Sequence, residues 1–363
     1  MEISNTLKIE LSQESYNIKI FSDFSHLASE LARVWSGEKI LVITDEIVGG
    51  LYLKQLINEL CKITNKVYHI ILPSGEKSKA IETVEIVYRF LLKNNFSRSD
   101  LIVTLGGGVM GDLGGYVAAT FLRGISYIQI PTTLLSQIDS SIGGKVAINF
   151  KGVKNIIGAF YNPKLVYINT GVLDTLPERE YRCGLAESLV HALIADKDLA
   201  YFIHKNTSGN YRIDNEIIPR FIYWNCTIKA NIVMQDERDT GIREILNFGH
   251  TFGHALESLF GYKYRHGECV SVGIASAFKI ALFYNLIQKD SFNEIIGILA
   301  DIGLPIKFDN VNWEEVVEKI RFDKKYSSDN IKLILPTEIG KVETYLVDFY
   351  KFKEMVIKIF KEQ

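Results

Sequence analysis

At 363 residues and 47% apolar side chains, the chain exceeds one ordinary hydrophobic core and can fill two, so two domains are expected. Its 41 basic and 43 acidic residues leave a formal net charge of -2, which argues against recruiting nucleic acid or an anionic membrane through a global field; any anion must meet a local cluster of cations. The four cysteines, Cys61, Cys183, Cys226 and Cys269, show no CxxC spacing, which disfavours a disulfide framework or a structural zinc site and predicts reduced thiols in a cytoplasmic protein.

The N-terminal segment carries acids early and alternates apolar with polar residues in LKIEL and YNIKIF, predicting an opening hairpin rather than a secretory leader. Next come KILVITD (39–45), KVYHIIL (66–72), LIVTL (101–105), ISYIQI (125–130) and KLVYIN (164–169), whose branched aliphatic composition suits strands buried on both faces. LYLKQLINEL and AIETVEIVYRFLLKN between them have helical spacing, so the first half reads as an α/β domain with a parallel sheet. From about Gly171 the pattern turns helical, through TLPEREYRCGLAESLVHALIAD, EIIPRFIYWNCTIKANIVMQDE, FGHTFGHALESLF and ECVSVGIASAFKIALFYNLI, until IKLILP (331–336). We therefore place an α/β domain at 1–170 and a mostly α-helical one at 171–363, with a tight junction of the kind where ligands commonly bind. The apolar run 269–287 nears the length of a membrane span, but Lys279 and Asn285 make it a buried core helix.

LIVTLGGGVMGDLGGYVAAT places Gly106, Gly107, Gly108 and Gly111 between a strand and a helix. A backbone without side chains can approach a pyrophosphate at a helix N-terminus; small residues equally serve close helix–strand packing. Asp45, ending KILVITD, could take ribose hydroxyls or cap the following helix. PSGEKSK (73–79) is a polar turn after a buried strand, and IPTTLLSQIDSSIGGK and FKGVKNIIGAF are read as two further polar loops at strand ends, where open α/β sheets place ligands.

NFGHTFGHALE puts His250 and His254 on one helical face, close enough to meet one object. A zinc peptidase would carry Glu after the first His, where this chain has Thr251. His266 follows in YRHGECV, and Glu187 lies on the apolar helix CGLAESLVHALIAD, a costly place for a carboxylate without a partner. Imidazoles plus a carboxylate would leave open positions on a divalent metal able to polarise an alcohol. Arg123, Lys145, Lys154, Lys229, Arg243 and Lys332 sit in motifs otherwise small, polar or apolar, as cations that bind phosphate or carboxylate do.

The blocks GGGVMGDLGGYVAATFLRG, IPTTLLSQIDSSIGGKVAINFKGVKNIIGAFYNP and REILNFGHTFGHALES resemble the 3-dehydroquinate synthases, members of the sugar-phosphate cyclase family, and the agreement runs from about Asp45 to Gly340. The resemblance implies a Rossmann-like N-terminal domain holding NAD, a helical C-terminal domain holding zinc or cobalt, and a homodimer. The implied substrate is 3-deoxy-D-arabino-heptulosonate 7-phosphate, converted to 3-dehydroquinate and phosphate in the shikimate pathway. Metal ligands fall on Glu187, His250 and His266, so His254 becomes a substrate contact rather than a ligand. NAD contacts fall on Asp45, Ser74, Gly75, Glu76, Lys77, Lys79, Gly108, Val109, Gly111, Asp112, Thr132, Thr133, Lys145, Lys154 and Thr175. Substrate contacts fall on Asp139, Lys145, Asn155, Lys229, Arg243, Asn247 and His254, with Arg123 reaching in from a partner subunit and a late lysine at Lys325 or, leading the strand-like run, Lys332.

Two positions depart from the family pattern: Val190 stands where Glu-x-x-Lys has its lysine, and Asp239 where DExExG has its last glutamate. A lost charged hydrogen bond costs on the order of 1.5–3 kcal/mol, enough to alter turnover or substrate. Sedoheptulose 7-phosphate and glucose 6-phosphate are therefore alternative substrates, and a non-catalytic NAD-binding paralogue is the alternative of another class.

Overall fold

A computed structural model of the chain describes residues 6–12, 14–207, 209–261, 263–323 and 330–360. Contacts divide it into two compact units, Met1–Leu176 with Asn215–Arg238 and Pro177–Asp214 with Asp239–Gln363.

In the first unit the opening hairpin pairs β1 (Thr6–Ile9) with β2 (Tyr16–Phe21). The five aliphatic runs become β3 (Ile40–Asp45), β4 (Val67–Leu72), β5 (Leu101–Gly106), β6 (Ser126–Pro131) and, after a hairpin of β7 (Lys145–Phe150) and β8 (Val153–Phe160), β9 (Leu165–Asn169). The sheet order is β1-β2-β9-β6-β5-β3-β4, antiparallel only between β1 and β2. Strand alternation sends Ile40 and Val42 to one face with Leu27 and Leu31 of α1 (Leu27–Leu31) and Leu53, Leu56 and Leu60 of α2 (Glu46–Leu60). Leu41 and Ile43 go to the other face, with Val84, Val87 and Leu91 of α3 (Ile81–Lys93) and Met110, Leu113 and Val117 of α4 (Gly108–Thr120). Burial on both faces explains why β3, β5, β6 and β9 read as unbroken apolar runs, whereas β4 at the sheet edge is buried only at Leu72.

FKGVKNIIGAF, expected as a loop, instead supplies the turn and the second strand of the β7–β8 hairpin. Lys151 and Gly152 take φ of 47° and 81°, the left-handed pair of a two-residue turn. Strand alternation is hidden because Val153 and Ile156 of β8 are apolar yet exposed.

The second unit contains α5 (Glu178–Ala195), α6 (Lys197–Thr207), α8 (His250–Leu259), α9 (His266–Phe283), α10 (Lys289–Asp301), α11 (Trp313–Asp323), a hairpin of β10 (Asn330–Glu338) and β11 (Lys341–Asp348), and α12 (Phe349–Phe360). The predicted core helix is α9: long and apolar enough to cross a membrane, it is mostly buried against α5, α8, α10 and β10. Between the two stretches of this unit the chain forms α7 (Ile218–Gln235), which packs in the first unit on the π-helical turn Ser136–Ser140 and on β1 and β2, with Cys226 Sγ donating to Gln137 O at 3.4 Å. None of the four cysteines forms a disulfide.

Candidate active site

At the carboxyl end of β3 in the first unit, Asp45 caps α2: its Oδ1 accepts from Ile47 N (2.9 Å), Val48 N (3.0 Å) and Ser74 Oγ (3.0 Å). Its other oxygen lies toward Gly106, where an added Cβ would stand 3.6 Å from Oδ2. Capping therefore orients the carboxylate without using all of it. The neighbouring β5–α4 turn carries no side-chain cap and no acid in the first helical turn, which leaves the N-terminal dipole of a 13-residue helix to an anion. Further along α4, a Cβ on Gly114 would meet Thr104 Cγ2 at 2.3 Å and one on Gly115 would meet Val146 Cγ1 at 2.4 Å. Those two glycines serve helix–strand packing.

The PSGEKSK turn is bolted to the β7–β8 hairpin. Asn149 N donates to Lys79 O at 2.8 Å, and Asn149 Nδ2 to Glu76 Oε1 at 2.8 Å. Buried Lys79 donates to Asp112 Oδ2 at 2.5 Å and to Asn155 Oδ1. Burial pushes the Asp112 carboxyl up, against the pull of Lys79. Thr132 N donates to Gly106 O at 3.0 Å, and Thr133 packs beside Gly107. Lys229 on α7 reaches Asp139 O at 2.7 Å and Oδ1 at 2.5 Å. Thr175 shares its hydroxyl with Tyr52 at 2.5 Å, while Gly75, Lys77, Arg123 and Lys145 are exposed.

In the second unit three elements deliver one cluster. Glu187 is buried on α5, His250 is the first residue of α8, and His266 is the first residue of α9. Glu187 Oε1 lies 3.3 Å from His250 Nε2 and 3.0 Å from His266 Nε2, and one ligand atom from each residue lies within 4.8 Å of the others. His250 Nδ1–H donates to Phe248 O at 3.0 Å, and His266 Nδ1 faces Glu257 Oε2 at 3.5 Å, so both Nε2 atoms are turned to the cluster. Such a donor set fits a divalent cation with positions left open. Burial pushes the Glu187 carboxyl up, but the two imidazoles more than reverse this and hold it far below the usual carboxylate range. The ring of His254 is 5.2 Å from that of His250, yet it contributes no atom to the cluster.

Elsewhere in this unit Arg243 is buried, Asn247 and His254 are exposed, and Lys332 on β10 donates to both oxygens of Glu244 at 2.7 and 2.5 Å. Val190 is buried on α5 and Asp239 has φ 57°. Lys325 lies outside the described residues.

Residues 69–183 match the 3-dehydroquinate synthase N-terminal family model, and 184–326 match the C-terminal one. The chain belongs to the 3-dehydroquinate synthase family. A 3-dehydroquinate synthase of Ruminiclostridium cellulolyticum is 41% identical over 334 residues, covering 92% of this chain and 93% of the relative. A 2-deoxy-scyllo-inosose synthase solved with carbaglucose-6-phosphate, NAD+ and Co2+ superposes with a TM-score of 0.87 at 25% identity, covering 98% of this chain and 100% of that one. A 2-epi-5-epi-valiolone synthase from Streptomyces hygroscopicus, with NAD+ and Zn2+ bound, has the same fold, with a TM-score of 0.86 at 23% identity over 98% of this chain and 99% of that one. Membership of the family makes this chain a phosphate-eliminating cyclase, a carbon–oxygen lyase. Glu257 and Glu244 are not among the residues the sequence singles out; their one signal is a carboxylate inside a short, otherwise apolar or small-residue motif near a candidate ligand or cation.

Proposed function

We propose that the chain converts 3-deoxy-D-arabino-heptulosonate 7-phosphate to 3-dehydroquinate and inorganic phosphate, with catalytic NAD and a divalent metal, zinc or cobalt. The observation that carries this reading is the convergence of Glu187, His250 and His266 within 4.8 Å in a chain of this family. The cofactor-bound neighbours add support: one was solved with NAD+ and Co2+, another with NAD+ and Zn2+. When bound, the nicotinamide accepts and returns a hydride, and the metal polarises the substrate hydroxyl and lowers its pKa.

The chain's own residues bind and orient. Asp45 takes the ribose hydroxyls, and the α4 N-terminus at Gly108, Val109 and Gly111 takes the pyrophosphate, flanked by Thr132 and Thr133. Lys79, tied to Asp112 and Asn155, holds the Ser74–Lys79 turn against the nucleotide; Lys77, Lys145, Lys154 and Thr175 complete that set. For the substrate we assign Asp139, Lys145, Asn155 and Lys229 in the first unit and Arg243, Asn247, His254 and Lys332 in the second, as groups that neutralise phosphate and carboxylate and position the hydroxyls. We also read the enzyme as a cytoplasmic homodimer. Thiols free of disulfide bonds support the compartment, and the partner role of Arg123 is supported by an exposed side chain displayed on a strained backbone, with Leu122 at φ 52° and Arg123 at φ 64°.

A second reading keeps the fold and changes the sugar phosphate, favoured by the buried apolar Val190 where the family has a lysine. Phosphate release by purified protein with NAD and Co2+ decides among the heptulosonate phosphate, sedoheptulose 7-phosphate and glucose 6-phosphate. Release only from a substrate lacking the carboxylate overturns the first reading. Nucleotide binding without release from any of them overturns both in favour of a non-catalytic paralogue.

A further inference from the structure

Glu257 is 8% exposed on α8, an unusual depth for a carboxylate, and its Oε2 lies 3.5 Å from Nδ1 of His266. The other nitrogen of that ring faces Glu187 at 3.0 Å. An imidazole that ligates through Nε2 must carry its proton on Nδ1, and a carboxylate opposite Nδ1 favours that tautomer, fixes the ring plane and strengthens the nitrogen as a donor. His250 is served differently, by the backbone carbonyl of Phe248 at 3.0 Å. His250 gains a neutral acceptor that no side-chain substitution removes. His266 opens α9, and its ring lies 5.3 Å from that of His250 and 5.8 Å from that of His254, with Glu257 the group that faces its Nδ1.

We propose that Glu257 is a positioning residue for the metal centre, acting through His266; this rests on the assignment of Glu187, His250 and His266 as ligands. Glu257→Gln keeps the shape and removes the charge, and Glu257→Asp keeps the charge on a shorter arm. The probe is Co2+ alone, titrated into metal-free full-length parent and variants in competition with a chelator, with the visible absorption of bound Co2+ and the melting temperature of the metal-free proteins recorded alongside. Glu257→Gln should bind Co2+ roughly 10–100-fold more weakly with an altered Co2+ spectrum, and Glu257→Asp should fall between it and the parent. A merely structural glutamate would lower the melting temperature and leave affinity and spectrum as in the parent; that result overturns the proposal. Should Glu257→Gln fail to fold, the same comparison made on Glu257→Asp decides, with parental affinity and spectrum again overturning it. A parent that takes up no Co2+ overturns the ligand assignment itself.

Discussion

A Cβ added to Gly267 would stand 2.4 Å from Cys183 Cα and 2.7 Å from Cys183 O, so α9 and α5 touch backbone to backbone one residue after His266 and four before Glu187. A second close crossing lies between α9 and the entry to α8, where a Cβ on Gly273 would come 1.9 Å from Gly249 O. Small residues at these two crossings let three helices bring Glu187, His250 and His266 to one point.

Gly267→Ala should therefore damage the metal site without touching a ligand. Backbone atoms cannot yield as a side chain does, so we expect about 1–3 kcal/mol of lost stability and weaker metal binding. Thermal unfolding with and without Co2+ checks this: the stabilisation conferred by the metal should shrink, and an unchanged increment would contradict the crossing's role.

His250→Ala removes one of the three proposed ligands and leaves Glu187 buried beside His266 as the single remaining imidazole of the cluster. Activity and stoichiometric metal should both be lost while NAD still binds, because the residues proposed for the nucleotide belong to the first unit. Chelation of the parent should reproduce the loss of activity, reversibly. Elemental analysis of the purified variant is the check, and full metal content would remove His250 from the ligand set.

Metal uptake should be coupled to proton release. In the metal-free chain burial pulls the His266 imidazole down, but Glu187 and Glu257 more than offset it and push it up to about 10. At neutral pH the ring thus holds a proton that a cation must displace, and apparent affinity should fall as pH falls, by roughly tenfold per unit for each proton displaced. The sign for folding is the reverse of the carboxylate case. With the folded value raised, His266 contributes its stabilisation in full below the ordinary histidine value and loses it as pH rises toward about 10. Co2+ titrations across a pH series test the first part, and melting temperatures of the metal-free chain test the second.

Lys79→Met should strip the cation from half-buried Asp112, whose side chain is 21% exposed, and untie the Ser74–Lys79 turn from Asn155. Removing one partner of such a pair costs about 3 kcal/mol. A lowered melting temperature together with weakened NAD binding is expected. NAD affinity equal to the parent's would confine Lys79 to a structural role.

The buried parallel strands were legible because residues enclosed on both faces leave an unbroken aliphatic signature. β8 was not: Val153 and Ile156 are apolar yet exposed, and the pairing is irregular near its start, so a clean alternation between apolar and polar positions never appears. The spacing of α7 matches that of its neighbours, and nothing local announces that it packs in the first unit. At the metal site, helical geometry alone correctly brought His250 and His254 close, with rings 5.2 Å apart. Which imidazole joins Glu187 depends on how α8 packs relative to α5, a long-range fact that resemblance to a family supplied and periodicity could not.

The chain leaves the first unit at Leu176 and returns to it for Asn215–Arg238. A gene fragment ending at that exit would encode every strand of the seven-stranded sheet and still lack α7, and with it Lys229, the cation that answers Asp139. The two units therefore cannot be separated by a single cut, and dissecting this enzyme calls for a circularly permuted or split chain in which α7 is supplied back to the half it serves.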